Sequence, residues 1–327
     1  MIRLAIYGPS LPAIEERLYA LGLDLDLHLF DAEGGISRGG VALDPAEVEL
    51  DYVWLRHDVI TDGAMGRIME TVLACRHVDV FQSFNAGLDH PFFRKAAAKG
   101  VRLSNSSAQG IAIAEYVFGQ VLALFQPIAE QRAAQARKDW VKTPFREVAG
   151  TRWLIFGYGP IGAALAKRAG AFDAVVDVIR RDTAPLPGVA RVGALDDAEA
   201  FLPDADVVAL ACPLNDATRG LAGAGFFEAM KPGAVLVNIA RGEVINTPAL
   251  MLGLDAGRPG MAVLDVFDVE PLPKSDPLWT HPNVVVTGHT SFNGSGTVGR
   301  WDQLFLDGIT AYARDGGIVR AVDVSVL

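Results

Sequence analysis

At 327 residues the chain exceeds the length at which one hydrophobic core usually stops growing, so two compact domains are expected. Half of the residues are hydrophobic and 21% are charged, the composition of a globular protein and not of a disordered or fibrous one. The formal net charge of -10 argues against a nucleic-acid partner, because phosphate backbones attract clustered Lys and Arg that are not seen here. Only Cys75 and Cys212 are present, far apart and outside any CxxC spacing, which argues against a disulfide framework or a thiolate zinc site. No metal site is expected. The run Met1–Tyr7 is too short for a signal peptide, and no apolar run approaches the ~20 residues that span a bilayer. A cytoplasmic protein with no membrane partner is the reading.

The first hundred residues alternate β-rich runs with helical patterns: Leu4 to Tyr7, a helix from Ala13, Leu23 to Phe30, Tyr52 to Leu55, a helix from Met65, and Val78 to Phe81. That alternation predicts a parallel α/β sheet. Between these runs Asp31 to Pro45 is rich in Gly and charge and reads as loop. It contains Gly35-Ile36-Ser37-Arg38-Gly39, which matches the GxSxG of a hydrolase elbow; the following residues are broken by Gly40 and Pro45 where a helix is required, so the match is taken as chance. Ser107 to Arg137 reads as one long helix, with a break at Pro127. A second α/β series runs from Trp153 to Thr287, and Trp301 to Arg314 reads as a terminal helix.

Within the second series, the strand Trp153-Leu154-Ile155-Phe156 leads into Gly157-Tyr158-Gly159-Pro160-Ile161-Gly162 and then a helix to Gly170. Strand, glycine turn and helix form the dinucleotide fingerprint: Gly157 permits the turn, Gly159 lets backbone approach the pyrophosphate, and Gly162 lets the helix pack on the strand. The next strand, Val175 to Ile179, should end near an acidic residue if the ribose carries a free 2′-hydroxyl; Arg180 and Arg181 stand there instead. Guanidinium groups suit a 2′-phosphate, so NADP(H) is preferred and NAD(H) stays possible. Asp182 leaves two alternatives open, since it could accept from a ribose or neutralise one of the arginines.

Three later strands deliver chemistry-bearing residues to their C-terminal ends: Val235 to Ile245 carries Arg241, Leu264 to Pro273 carries Asp265 and Glu270, and Asn283 to Thr290 carries His289. That edge of an open α/β sheet is where ligands bind. The sequence here resembles the D-isomer-specific 2-hydroxyacid dehydrogenase family. The likeness is carried by the Gly157 turn, Asn238-x-Ala240-Arg241-Gly242, Leu264-Asp265-Val266-Phe267-x-x-Glu270-Pro271-Leu272-Pro273, Pro277-Leu278-Trp279, Asn283-Val284-x-x-Thr287-x-His289, and in the first half by Asn85 to Asp89 and Asn105 to Glu115.

The resemblance implies two doubly wound parallel-sheet α/β domains: a flavodoxin-like substrate domain of residues 1–106 and 291–327, and an inserted Rossmann-type NAD(P)-binding domain of residues 107–290. It makes Arg241 the ligand of the substrate carboxylate and keto oxygen, His289 the general acid in reduction, and Glu270 the partner of that histidine. A carboxylate beside imidazolium stabilises it, so a proton is at hand when hydride reaches the keto carbon. Cofactor contacts carry over to Gly157, Gly159, Pro160, Ile161, Gly162, Arg180, Arg181, Cys212, Pro213, Ile239, Ala240, Arg241, Asp265 and His289, with Asp265 on the nicotinamide carboxamide. The backbone of Ala86 and Gly87 is expected to meet the substrate carboxylate.

One departure is Gly288, where family members usually have Pro before the histidine. Trp54, Arg56 and His57 follow an early strand, and Arg56 reads either as a ligand for a second substrate anion or as a surface arginine beside Asp58. The implied reaction is NADPH-dependent reduction of glyoxylate, hydroxypyruvate or a similar 2-keto acid to the D-2-hydroxy acid, by a homodimer. The alternatives are a D-3-phosphoglycerate, formate or phosphite dehydrogenase of the same superfamily, and a nucleotide-sensing corepressor-like binding protein.

Overall fold

The first strand, β1 (Ile2–Tyr7), is apolar and buried from Leu4 to Tyr7, as a strand covered on both faces must be. In the computed structural model, which describes residues 1–324, β1 is joined by β2 (Leu25–Phe30), β3 (Ile36–Arg38), β4 (Val41–Leu43), β5 (Glu49–Trp54), β6 (His77–Gln82) and β7 (Arg102–Ser104). They make a seven-stranded sheet in the order β4-β3-β2-β1-β5-β6-β7. Its helices are α1 (Glu15–Tyr19), α2 (Asp58–Thr61), α3 (Met65–Ala74) and α4 (Pro91–Ala98).

The sheet is parallel except at one edge, where β3 pairs antiparallel with β2 and β4. The expectation of a loop over Asp31 to Pro45 is thus corrected. The cause is local: Arg38 pairs with Val41 across Gly39 and Gly40, whose φ angles of 55° and 81° suit a two-residue hairpin turn that other residues resist. Ser37 sits inside β3, its hydroxyl donating to the Leu29 carbonyl at 3.4 Å, in a hairpin where a hydrolase elbow would need a helix.

The helical stretch is broken at Pro127, as expected, into α5 (Gly110–Phe125) and α6 (Ile128–Arg137), bent by 56°. No single helix among the described residues is long and apolar enough to cross a membrane. After them come β8 (Arg152–Phe156), α7 (Pro160–Ala171), β9 (Val175–Ile179), β10 (Arg191–Gly193), α8 (Ala198–Phe201), β11 (Val207–Leu210), α9 (Ala224–Ala229), β12 (Val235–Asn238), α10 (Thr247–Asp255), β13 (Met261–Leu264) and β14 (Val284–Val286). These strands form a second, fully parallel seven-stranded sheet in the order β10-β9-β8-β11-β12-β13-β14.

Side-chain alternation assigns each face of the second sheet. Trp153 and Ile155 of β8 pack with Val117 of α5 and Leu165 of α7, while Leu154 and Phe156 pack with Phe226 of α9 and Leu250 of α10. The last helix, α11 (Thr297–Asp315), lays Phe305 and Ile309 on Leu4, Ile6 and Trp54 of the first sheet. By internal contacts the chain divides into one unit of Met1–Gln109 with the segment from Ser295 onward, and another of Gly110–Gly294.

In the first unit His57 stacks on Trp301 (5.2 Å, 8°) and meets Phe84 edge-on (5.5 Å, 77°). Burial lowers the pKa of its imidazole, against Asp58, which raises it, and with Arg56, which lowers it further. Protonation therefore favours the unfolded chain. The stability contributed by the neutral ring is present above the ordinary histidine pKa of about 6.5 and is lost as pH falls through the lower folded value. Denaturant midpoints measured between pH 7.5 and 5.5 are expected to fall more for the native chain than for His57→Phe; equal declines would contradict this.

Candidate active site

The glycine turn after β8 needs glycine at two positions. Gly157 has φ 94°, and a Cβ there would lie 2.7 Å from the Ala211 carbonyl oxygen; a Cβ on Gly162 would lie 2.0 Å from the Gly157 oxygen. Gly159 differs, because a Cβ there would meet nothing within 4 Å. Its surroundings are open, where the pyrophosphate of a dinucleotide requires room, and α7 starts beside it with Pro160 at its first position and the N–H groups of Ile161 and Gly162 following. These residues fit a dinucleotide.

The neighbouring strands β8 and β11 mark the point where strand order reverses, and the chain leaving β11 brings Cys212 and Pro213 to the same edge. The contact between Gly157 and Ala211 shows how closely the two loops approach. Burial pushes the Cys212 thiol up to about 11, so it stays neutral there. Beyond β9, Arg180 is half-buried and forms an ion pair with Asp182, while Arg181 is exposed. Asp182 thus neutralises one arginine, and a ribose hydroxyl would have to share it.

Strand register aligns the remaining residues. Asn238 of β12 pairs with Leu264 of β13, and Leu264 with Val286 of β14, so these three strands end together. Arg241, Asp265, Glu270 and His289 all lie in the segments that leave this edge. Asn238 shapes the first segment: its Oδ1 accepts from Ala240 N at 3.0 Å and its Nδ2 donates to the Arg241 carbonyl at 2.9 Å. Ile239 and Ala240 are buried beneath the turn, and Arg241 Nη1 donates to the Ala240 carbonyl at 2.7 Å. Gly242 lies against the next segment, since a Cβ there would stand 2.0 Å from the Phe267 carbonyl carbon and 2.2 Å from Asp268 N.

Leu264 to Pro273 was expected as strand, but β13 occupies Met261–Leu264 and ends before Asp265. Asp265 is fully buried. Its Oδ1 accepts from Thr287 Oγ1 (2.6 Å) and Thr290 N (2.9 Å), and its Oδ2 from Ser291 N (2.9 Å). Both oxygens are engaged within the chain, so the expected contact with a carboxamide would have to share them. The backbone carbonyl of Asp265 also accepts from His289 N at 2.8 Å.

His289 has φ 48°, a left-handed conformation uncommon for a residue with a Cβ, and these bonds hold it there. Its Nδ1 lies 2.8 Å from Glu270 Oε2, and Glu270 Oε1 accepts from Phe267 N at 2.9 Å. The carboxylate is fixed by backbone on one side and orients the imidazole on the other, with the His289 ring edge-on to Phe292 at 5.9 Å. The two side chains are 41% and 35% exposed, open enough to exchange protons with a ligand.

In the first unit the Asn85–Gly87 turn is braced from below: Ser106 N donates to the Asn85 carbonyl at 2.8 Å and Asn105 Nδ2 to the Ala86 carbonyl at 3.0 Å. The backbone of Ala86 and Gly87 is thereby held in one shape. Trp54 is 1% exposed and stacks on Phe305 at 4.0 Å, which makes it core. The Arg56 guanidinium donates to Asp302 at 2.9 Å and to Asp58 at 2.6 Å, so it does pair with Asp58, and a second substrate anion would have to compete with two carboxylates. Sequence reasoning gave no role to Asn238, Thr287 or Tyr116; the first two stood in quoted motifs, and Tyr116 carried no signal beyond its place on a helix.

The fold and this edge define a dinucleotide-dependent oxidoreductase. Residues 118–291 match the family model described as D-isomer specific 2-hydroxyacid dehydrogenase, NAD binding domain. A hydroxyphenylpyruvate reductase of Plectranthus scutellarioides is 32% identical over 245 residues, 73% of this chain and 76% of that one. A glyoxylate reductase of Thermofilum pendens is 32% identical over 248 residues, 71% and 70% of the respective chains. Among solved structures, a D-isomer specific 2-hydroxyacid dehydrogenase of Xanthobacter autotrophicus in complex with NADPH and MES is similar with a TM-score of 0.77 at 25% identity, over 99% of this chain and 98% of that one. The chain belongs to the D-isomer specific 2-hydroxyacid dehydrogenase family.

The two glycines beside Arg241 and His289 should respond oppositely to alanine. Gly242→Ala forces a Cβ into backbone and is expected to cost about 1–3 kcal/mol. A Cβ on Gly288 meets nothing within 4 Å and its φ lies outside the left-handed range, so Gly288→Ala is expected to stabilise by about 0.4–1 kcal/mol through loss of unfolded-state freedom. Equal thermal midpoints for the two variants would refute the assignment.

Proposed function

We propose that the protein is an NADPH-dependent reductase of small 2-keto acids of the glyoxylate and hydroxypyruvate class, giving D-2-hydroxy acids. The observation that carries this reading is the His289–Glu270 pair at the strand edge that also holds Arg241, in the same unit as the glycine turn. Bound NADPH supplies the hydride. Arg241 pairs with the substrate carboxylate and offers fixed positive charge to the keto oxygen as electrons move onto it. Glu270, anchored by the Phe267 N–H, accepts from His289 Nδ1 and steadies the protonated ring. Nε2, on the far side of the ring, then gives its proton to the developing alkoxide, and the neutral imidazole recovers a proton from solvent. In the oxidation direction the same nitrogen takes the hydroxyl proton.

Preference for NADPH rests on Arg180 and Arg181 after β9, and the relative solved with NADPH supports it. Because Asp182 pairs with Arg180, a 2′-phosphate must compete for that guanidinium, and NADH is expected to work less well without being rejected. The glyoxylate reductase and hydroxyphenylpyruvate reductase relatives support a 2-keto acid substrate. A homodimer in the cytoplasm completes the reading; a monomeric mass by light scattering would remove the first part of it.

With glyoxylate, hydroxypyruvate, phenylpyruvate, 2-oxoglutarate and 3-phosphohydroxypyruvate as substrates, the first two should give the highest kcat/KM, and NADPH should exceed NADH. His289→Ala is expected to lower kcat by about 10²–10⁴ while NADPH affinity changes little. Loss of cofactor affinity with unchanged kcat would overturn the assignment of the histidine, and NADH equal to NADPH would overturn the cofactor preference.

A further inference from the structure

The loop that carries His289 is tied to a residue outside the strand edge. Tyr116, on α5, places its phenol oxygen 2.5 Å from Thr287 Oγ1. Thr287 Oγ1 in turn donates to Asp265 Oδ1 at 2.6 Å. A hydroxyl carries one proton, and that of Thr287 is committed to the carboxylate, so Tyr116 must be the donor to Thr287. The carboxylate that ends this chain of bonds also receives Thr290 N and Ser291 N, and the Asp265 carbonyl receives His289 N. His289 is therefore held from residues on both sides of it, in a left-handed conformation that isolated chains avoid.

We infer that Tyr116 is a positioning residue for the general acid, fixing the His289 loop through Thr287 and Asp265. The inference rests on the proposed role of His289 in proton transfer. Burial pushes the Tyr116 phenol up, and Asp265 adds to this against the lowering effect of Thr287, so the group stays protonated as the network requires. Packing alone does not account for the arrangement. The Tyr116 ring lies against the apolar cluster of Val117, Trp153 and Leu165, and Phe would fill that place equally well. The hydroxyl is the part that reaches Thr287.

Tyr116→Phe keeps the ring and deletes the donor. It is expected to lower kcat by about 5- to 20-fold, to leave KM for NADPH and for the keto acid within about 3-fold, and to raise the solvent deuterium isotope effect on kcat as proton delivery becomes slower. Thr287→Val should do the same, Thr287→Ser should retain most of the activity, and the double variant Tyr116→Phe/Thr287→Val should be no worse than Thr287→Val alone, because both remove one linkage. Multiplying losses in the double variant, or a native kcat in Tyr116→Phe, would overturn the relay.

A second measurement does not depend on turnover. Amide hydrogen exchange over residues 287–291 should accelerate in Tyr116→Phe, by about tenfold, with the core of the sheet unchanged. Unchanged exchange there would overturn the inference whatever the activity, whereas a native chain that reduces no 2-keto acid with either cofactor would overturn the functional reading and leave the exchange result to decide the linkage.

Discussion

A buried carboxylate organises the site. Asp265 is fully desolvated at the end of β13, and an ion in that setting is tolerated only if hydrogen bonds replace its lost water. Thr287, Thr290 and Ser291 supply them, all from the segment after β14. The same need that draws these donors inward fixes the segment between them, and that segment contains His289. Backbone strain at the histidine, of order 1–3 kcal/mol for a left-handed non-glycine residue, is offset by bonds that the buried charge must make anyway. Removing the carboxylate would leave the loop without its anchor; removing a donor would leave the carboxylate underpaired.

The parallel strands explain why residues distant in sequence meet. β12, β13 and β14 are in register and point the same way, so whatever follows each strand emerges on one edge. The apolar runs that form these strands are visible in sequence because both sheet faces are covered, and the strand Val175 to Ile179 is expected with the same bounds that the structure gives. Where one rule competes with another, sequence fails. Asp31 to Pro45 is polar and glycine-rich, yet Gly39-Gly40 is also a hairpin turn, and the edge strands it joins are too short and too exposed to show an apolar pattern.

Charge is legible as residue type and illegible as partnership. Arg56 stands beside Asp58 in sequence, but its second carboxylate, Asp302, arrives from α11 far along the chain. Arg180 and Arg181 look equivalent until the structure pairs one with Asp182 and leaves the other exposed. Trp54 is similar: in sequence it is an aromatic at a strand end, and only the returning helix, with Phe305 stacked on the indole, shows it to be core. Glycines carry the same ambiguity. Gly242 and Gly288 each neighbour a site residue, Arg241 and His289, and the difference between them is the presence or absence of another segment's backbone 2 Å away.

That backbone belongs to Phe267 and Asp268, which links the two halves of the strand edge. Gly242 can lie against Phe267 only because it has no side chain, and the N–H of Phe267 is the donor that anchors Glu270 Oε1. Glu270 then orients His289 through Nδ1. The turn that sets Arg241 and the carboxylate that sets the histidine consequently both touch the backbone of one residue, Phe267, so a shift of either segment is felt by the other. Asp265 restrains the histidine loop from the opposite side, through its own backbone and side chain. Arg241 and His289 are thus placed by separate strands but held by a shared set of contacts, and a small displacement along that set moves both groups away from the ligand they are proposed to share.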